Sequence, residues 1–242
     1  MMVGQTLTAN TVITTFDGVF NNLNWSSAVL TNTNNAAGNT YIATQHLTGG
    51  NADEYRYLSY NASPDGSGLY NTMRIENKYL GTTIAAGTVI NSIDASFDLI
   101  YFANNLNSFN TMAYGLAIFQ DGFTYVTNTG ITSDTSTWSS KALTGLTASS
   151  FCRNSNSNAI DCTLNPVFTS NSTAMQIGYV IANGLPKGNI YGDQKSGLDN
   201  FSVSINAATP EPASVGLAAI GLTLVALGKR RQSAGSNPSR QL

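Results

Sequence analysis

Hydrophobic and polar residues alternate with a period of two over much of the first 209 residues. Ile93, Ala95, Phe97, Leu99 and Tyr101 fall on one side of an extended chain, and Asp94, Ser96 and Asp98 fall on the other. Successive strand side chains point to opposite faces, so this segment predicts a strand with one apolar and one wet face. Met175, Ile177, Tyr179 and Ile181 repeat the pattern, as do Phe201, Val203 and Ile205. Leu116 to Phe119 and Phe123 to Val126 flank Gln120-Asp121-Gly122, and Asp-Gly is the pair that a tight hairpin wants. Further strands are expected over 11–16, 41–47, 55–60 and 69–75. The number of strands fits an all-β fold of two packed antiparallel sheets, a jelly-roll β-sandwich, better than a closed barrel. The segment from Trp138 to Phe151 does not alternate, and it predicts a strand end, a turn and one helical turn over 147–151. No repeat of the length a solenoid or propeller needs is visible.

Composition narrows the function classes. Only 10% of residues are charged, whereas 42% are hydrophobic, enough for a sizeable core. Residues 1–209 read as one domain and hold seven cationic side chains against 12 carboxylates, a formal charge of −5. No basic stripe exists to hold phosphates, so nucleic acid is not an expected partner.

The alternation stops at Thr209. Pro210-Glu211-Pro212 denies backbone donors to any continuing strand, and Ala213 to Gly228 then runs without a charge. As a helix that run would be roughly 24 Å long at 1.5 Å per residue, somewhat short of the roughly 30 Å hydrocarbon core of a bilayer. Thr209, Pro210 and a snorkelling Lys229 would absorb the mismatch. Lys229, Arg230 and Arg231 follow, and such a cluster stays on the cytoplasmic side of a membrane. A buried core helix is the plain alternative for a run of this length, but the proline gate and the basic stop favour one short C-terminal transmembrane helix.

This tail, PEPASVGLAAIGLTLVALGKRR, resembles the PEP-CTERM sorting signal of Gram-negative bacteria. The resemblance covers about a tenth of the chain. It implies recognition of Pro210, Glu211 and Pro212 by exosortase, a membrane-embedded cysteine transpeptidase or protease, with Lys229, Arg230 and Arg231 as the membrane stop. The expected organisation is a β-sandwich ectodomain over 1–209, a sorting and anchor segment over 210–231, and a polar disordered tail over 232–242. That last segment departs from the family, whose members usually end just after the basic cluster. The implied localisation is export, anchoring in the inner membrane before processing, then the cell surface or extracellular matrix. The first 16 residues lack a basic region and a long apolar stretch, so an export signal is expected upstream.

Within the ectodomain, Cys152 and Cys162 bracket a polar loop that packing alone would not hold. A disulfide closing it would contribute about 2–3 kcal/mol in the loop-entropy picture and calls for an oxidising compartment. Two free thiols or half of a metal site are the alternatives, the latter without a nearby His or further Cys to support it. Thr15-Phe16-Asp17-Gly18 followed by Trp25, together with Leu198 to Val203, resembles the first and last strands of galactose-binding-like and carbohydrate-binding-module jelly rolls. The run from Gln45 to Asn51, then Tyr55-Arg56, is similar to exported PEP-CTERM proteins whose ectodomains look like concanavalin or laminin-G sandwiches. The first of these resemblances implies a structural Ca²⁺ on Asp17 and Asp199, oxygen donors of the kind that ion takes. The alternative is a turn at Asp17 and a strand cap at Asp199 with no metal.

Catalysis finds little support. A glycosidase needs two carboxylates across one bond, yet the only glutamates are Glu54, Glu76 and Glu211, and His46 is the sole histidine. With no Gly-x-Ser-x-Gly elbow and no second zinc ligand, His46 reads as a strand or surface residue, and the chain reads as a non-enzyme. A lectin-like site would combine an aromatic platform with Asn, Asp and Gly amides. Trp25, Trp138, Tyr55, Tyr57, Asn51 and Arg56 are the candidates, although a tryptophan in a sandwich is more often core. The leading expectation is therefore a structural or adhesive surface protein, with carbohydrate binding as the alternative, extracellular polysaccharide as the partner, and glycoside hydrolysis the weakest reading.

Overall fold

The computed structural model describes residues 9–32, 40–62, 71–102, 112–127, 131–133, 135–154, 160–185 and 192–209. The chain divides into two compact units, Thr11–Ala207 and a second made of Met1–Asn10 with Ala208–Leu242. Of the second unit only residues 9, 10, 208 and 209 are described, as strand ends.

Among the described residues the fold is all-β. In chain order the strands are β1 (Ala9–Asp17), β2 (Trp25–Asn32), β3 (Thr40–Gly50), β4 (Asp53–Ala62), β5 (Asn71–Ile84), β6 (Val89–Phe102) and β7 (Met112–Gln120). They continue as β8 (Phe123–Thr127), β9 (Ile131–Ser133), β10 (Ser139–Leu146), β11 (Phe151–Asn154), β12 (Ile160–Asp161), β13 (Met175–Leu185) and β14 (Gly192–Thr209). One sheet has the order β10-β6-β14-β4-β3, with β1 also paired to β14. The other has the order β12-β11-β8-β7-β13-β5-β2, with β9 also paired to β7. The chain changes sheet repeatedly, so β14 lies between β4 and β6 although 89 residues separate it from β6 and 129 from β4.

Alternation explains how the two sheets meet. Leu58 and Tyr60 of β4, Phe97 and Leu99 of β6, and Phe201, Val203 and Ile205 of β14 face Ile75 of β5, Leu116 and Ile118 of β7, and Ile177, Tyr179 and Ile181 of β13 in one buried core. This is a β-sandwich. At the Asp121-Gly122 hairpin, Gln120 pairs with Phe123 and both loop residues take positive φ, 53° and 77°. That is the left-handed backbone which Asp and Gly accept most readily.

Two expectations need correction. The non-alternating segment contains a strand, β10, paired with β6 from Ser139↔Leu99 onward. It ends in a short 3-10 turn, Ala148–Ser150. As the edge strand of its sheet it is exposed on one side and only half-buried on the other, where Leu143 and Leu146 alone supply apolar contacts with the core, so its alternation is faint. The supposedly wet side of β6 is also not uniformly wet, because Asp98 is buried. Cys152 of β11 is bonded to Cys162, just beyond β12, and Arg153↔Asp161 and Asn154↔Ile160 pair across the same loop. The sorting motif, the apolar run, the basic cluster and the polar tail lie outside the described residues. Among the described residues no helix is long and apolar enough to cross a membrane.

Candidate functional site

Strand parity decides which candidates share a surface. On β4, Arg56, Leu58 and Tyr60 are buried toward the sandwich interior, so Tyr55 and Tyr57 point to the outer face of the six-stranded sheet, where Tyr57 is half-buried and Tyr55, only 6% exposed, lies covered by its neighbouring rings as their support. His46 lies opposite Tyr55 on β3, and Gly197 lies opposite Tyr57 on β14. Phe102 ends β6, and Trp138 immediately precedes β10.

These side chains form one aromatic strip across the sheet. His46 stacks on Tyr57 with centroids 4.4 Å apart and planes 17° apart. Tyr57 and Tyr55 each approach Phe102, at 6.0 and 5.9 Å. Trp138 meets Tyr55 edge-on at 5.5 Å. Such spacings lie in the range where ring pairs attract beyond their area burial. Gly197 creates the room: a Cβ there would lie 2.7 Å from Trp138, 2.8 Å from Ile100 and 2.9 Å from Tyr55. The rings therefore lie directly on the backbone of a central strand. The Trp138 indole N–H donates to the Gly49 carbonyl at 3.1 Å, which fixes the ring. The Tyr55 hydroxyl is hydrogen-bonded to His46 Nδ1 at 3.1 Å, and burial, reinforced by the neighbouring Tyr57, raises its pKa above the usual phenol value.

A polar network adjoins the strip. Asp98 Oδ2 accepts hydrogen bonds from the side-chain amides of Asn51 at 2.7 Å and Asn200 at 2.8 Å, while Oδ1 accepts from the Ser140 hydroxyl. Asp199 Oδ2 accepts from the backbone N–H groups of Asn51 at 2.6 Å and Ala52 at 3.2 Å, and its Oδ1 accepts from Asn200 N–H. Burial opposes ionisation of Asp98, but the bonds from Ser140, Asn200 and Asn51 prevail and hold its carboxyl below the usual value. At Asp199 burial prevails, helped by the charge of Asp98, and the carboxyl is raised despite its three N–H donors. The network pins the β3–β4 turn, which also carries the Gly49 carbonyl that holds Trp138.

The structure thus brings together Trp138, Tyr55, Tyr57 and Asn51 and separates them from two other candidates. Trp25 is 5% exposed and packs among Phe20, Tyr79, Tyr179 and Phe201 at 5.2–5.7 Å. It is a core residue, not a platform. Arg56 is 2% exposed and donates to Asn22 Oδ1 at 2.6 Å and to the Ser27 hydroxyl at 3.4 Å, inside the sandwich and on the opposite side of β4 from the rings. Parity with Leu58 and Tyr60 was the signal that would have placed it there.

Asp17 holds a turn. Its Oδ1 accepts from Val19 and Phe20 N–H at 3.0 and 2.7 Å, and its Oδ2 accepts from the Trp25 indole at 2.7 Å. Bonds to a charged acceptor of this kind contribute about 1.5–3 kcal/mol each. Asp17 and Asp199 therefore each sit in a cradle of N–H donors, and among the described residues no group of three His, Cys, Asp or Glu side chains is placed to share a metal ion. The residues that local reasoning missed are Phe102, which continues the alternation of β6 by one step beyond Tyr101, and Gly197, Asp98 and Asn200. The last three join the site only through strand pairing.

No family model matches the chain, and no curated protein matches it. Solved structures give faint likenesses. The CBM22-1 xylan-binding domain from Paenibacillus barcinonensis Xyn10C aligns with a TM-score of 0.40 at 9% identity, over 84% of this chain and 100% of that one. The CBM22-1-GH10 modules of the Clostridium thermocellum xylanase 10B, complexed with xylohexaose, align with a TM-score of 0.38 at 9% identity, over 81% of this chain and 28% of that one. An exo-beta-agarase gives 0.37 at 11% identity, over 81% of this chain and 25% of that one. Each lies below a TM-score of 0.5, so none transfers a family or a ligand to this chain.

Proposed function

We propose that this chain is an exported surface protein whose β-sandwich adheres to polysaccharide through the aromatic face of its six-stranded sheet. The observation that carries the reading is the strip His46-Tyr57-Phe102-Tyr55-Trp138 laid over Gly197 beside the Asn51-Asp98-Asn200 network. Sugars present C–H faces to rings and hydroxyls to amides and carboxylates, so a ring platform with an adjacent polar rim matches both sides of that chemistry. The reading is one of binding rather than turnover, because Asp98 and Asp199 spend their oxygens on internal donors. A jelly-roll connectivity and a structural Ca²⁺ at Asp17 or Asp199 remain part of the proposal only as expectations from sequence. So do recognition of Pro210, Glu211 and Pro212 by exosortase and anchoring through Ala213 to Gly228.

A glycan array probed with the full chain tests the binding. We expect neutral polysaccharide ligands whose affinity drops about tenfold or more in Trp138→Ala and in Tyr57→Ala, the loss usual for a central aromatic contact. Both variants should keep a melting temperature near that of the parent. Ligands that bind both variants unchanged, or an array with no ligand at all, would remove the aromatic face from consideration and leave a passive surface protein.

A further inference from the structure

A cation is buried inside the sandwich with no carboxylate against it. Arg56 donates from Nη1 to Asn22 Oδ1 at 2.6 Å and from Nη2 to the Ser27 hydroxyl oxygen at 3.4 Å, and among the described residues no Asp or Glu forms an ion pair with it. The eight-stranded sheet meets it with uncharged polar groups. Ser27 of β2, Asn77 of β5 and Tyr179 of β13 lie side by side, because Ser27↔Asn77 and Asn77↔Tyr179 are direct cross-strand pairs. The Ser27 hydroxyl donates to Asn77 Oδ1 at 2.7 Å, and the Tyr41 hydroxyl of β3 donates to the same oxygen from the other sheet at 3.1 Å.

In this cluster donors outnumber acceptors. The side-chain oxygens of Asn22, Ser27 and Asn77 are all engaged, yet Arg56 Nε, Asn77 Nδ2 and the Tyr179 hydroxyl are buried with no hydrogen-bond partner. Turning the Asn77 amide over does not cure the deficit, because its oxygen would then leave the Ser27 and Tyr41 hydroxyls without an acceptor. The arginine charge is felt at both phenols: burial raises the pKa of Tyr179 and of Tyr41, and Arg56 pulls each partway back. Asp17 is the other charge felt at Tyr179, but its oxygens already hold the Val19, Phe20 and Trp25 donors. A guanidinium taken out of water without a counter-charge in contact is strongly disfavoured. A water molecule would supply no charge, and it would bring two more protons to a cluster whose acceptors are spent.

We propose that this cluster is a binding site for one small monovalent anion of the halide class, held by Arg56 Nε–H, the Asn77 amide and the Tyr179 hydroxyl. Such an ion accepts from all three and donates to none. It also joins a strand of the six-stranded sheet to two of the eight-stranded sheet. The donors stand on buried side chains in a close-packed interior, so a monatomic ion fits where a larger oxyanion would part the sheets. Asn22 and Ser27 are exposed and form the outer wall of the cluster, which gives an ion a short way in at the β2 edge. The site stands apart from whatever the aromatic face binds, yet Arg56 lies between Tyr55 and Tyr57 on β4, so an ion that fixes it steadies the strand beneath the rings.

The test is thermal unfolding of the full chain in sodium chloride, sodium bromide and sodium gluconate mixed at constant ionic strength. An ion that binds only the folded chain raises the melting temperature with the logarithm of its concentration above its dissociation constant. Chloride and bromide should do so, and bulky gluconate should not. Tyr179→Phe keeps the ring and removes one donor, so it should weaken the halide dependence about tenfold in concentration. Arg56→Met should abolish that dependence, and where this variant does not fold, Tyr179→Phe carries the test. Crystals grown in bromide should show one anomalous peak in contact with Arg56 Nε, Asn77 Nδ2 and the Tyr179 hydroxyl. Melting that follows ionic strength alone, a halide dependence unchanged in Tyr179→Phe, or a water without anomalous signal at that position would each overturn the proposal.

Discussion

On the six-stranded sheet, Gly197 sits outward at the centre and rings stand on the neighbouring strands. On the eight-stranded sheet, Ala113, Gly115, Ala117 and Gly178 sit outward at the centre and charged or short polar groups stand on the neighbours. The centres are alike, yet one face is a plateau and the other a trough. The flanks decide. Tyr55 and Trp138 are long, flat and mutually attractive, so they close over the glycine and touch. Arg74, Glu76 and Lys78 turn their charged ends to water or local partners, and between them the small residues sit low beside a buried cluster of Phe119, Val126 and Val180. A small residue in a strand centre therefore forecasts neither shape until its cross-strand neighbours are known.

The largest effect should come from the trough side. A Cβ on Gly178 would lie 1.9 Å from the Asn77 carbonyl oxygen and 3.0 Å from the Lys78 Cα, backbone atoms that have no rotamer to escape into. Gly178→Ala is expected to cost about 3 kcal/mol or more, lowering the melting temperature by roughly 6–12 °C for a domain of this size. A variant that melts with wild type would show that β5 moves freely against β13, and the trough would lose its fixed wall.

Gly197 is the milder counterpart because its neighbours are side chains, which can swing aside. Gly197→Val should cost about 1–3 kcal/mol by overpacking and should displace Trp138 and Tyr55. Neutral-glycan binding should vanish while circular dichroism still reports a folded sandwich. Binding retained in this variant would mean that the aromatic face is not the glycan site.

Much of the architecture was legible because β6, β13 and β14 each bury one face, and burial on one side writes itself as alternation. The Asp121-Gly122 turn was legible because its backbone admits few residue types. β10 was not, since an edge strand that commits only Leu143 and Leu146 to the core leaves too faint a pattern. The site was half legible: the ring types pointed to a platform, but whether a ring faces the core or the solvent depends on parity, and Trp25 begins its strand with no alternation before it to read. The Asp98 network could not be read at all, because Asn51 and Asn200 reach Asp98 across 47 and 102 residues of sequence.

The smallest effect tests the aromatic side by pH, since Asp98 and Asp199, whose proton affinities are shifted by burial and hydrogen bonding, adjoin it. Asp98 is held below the usual range, so the folded chain keeps it ionised after the unfolded chain has taken a proton. Its contribution to stability is therefore present above the ordinary aspartate value of about 3.9 and is lost as pH falls through the depressed one. Asp199 is raised, so the folded chain takes that proton first, and stability is gained as pH falls from neutrality through the raised value. Stability should thus rise slightly on acidification, peak near the ordinary aspartate range, and then fall. Melting temperatures measured from pH 7 to pH 2.5 check the shape. Asp199→Asn should flatten the rise and Asp98→Asn the fall, with neutral-glycan binding following the same network because it fixes the turn that holds Trp138. A steady decline from neutrality in wild type, unchanged by Asp199→Asn, would mean that Asp199 is ionised as readily as an exposed aspartate and that its N–H cradle outweighs its burial.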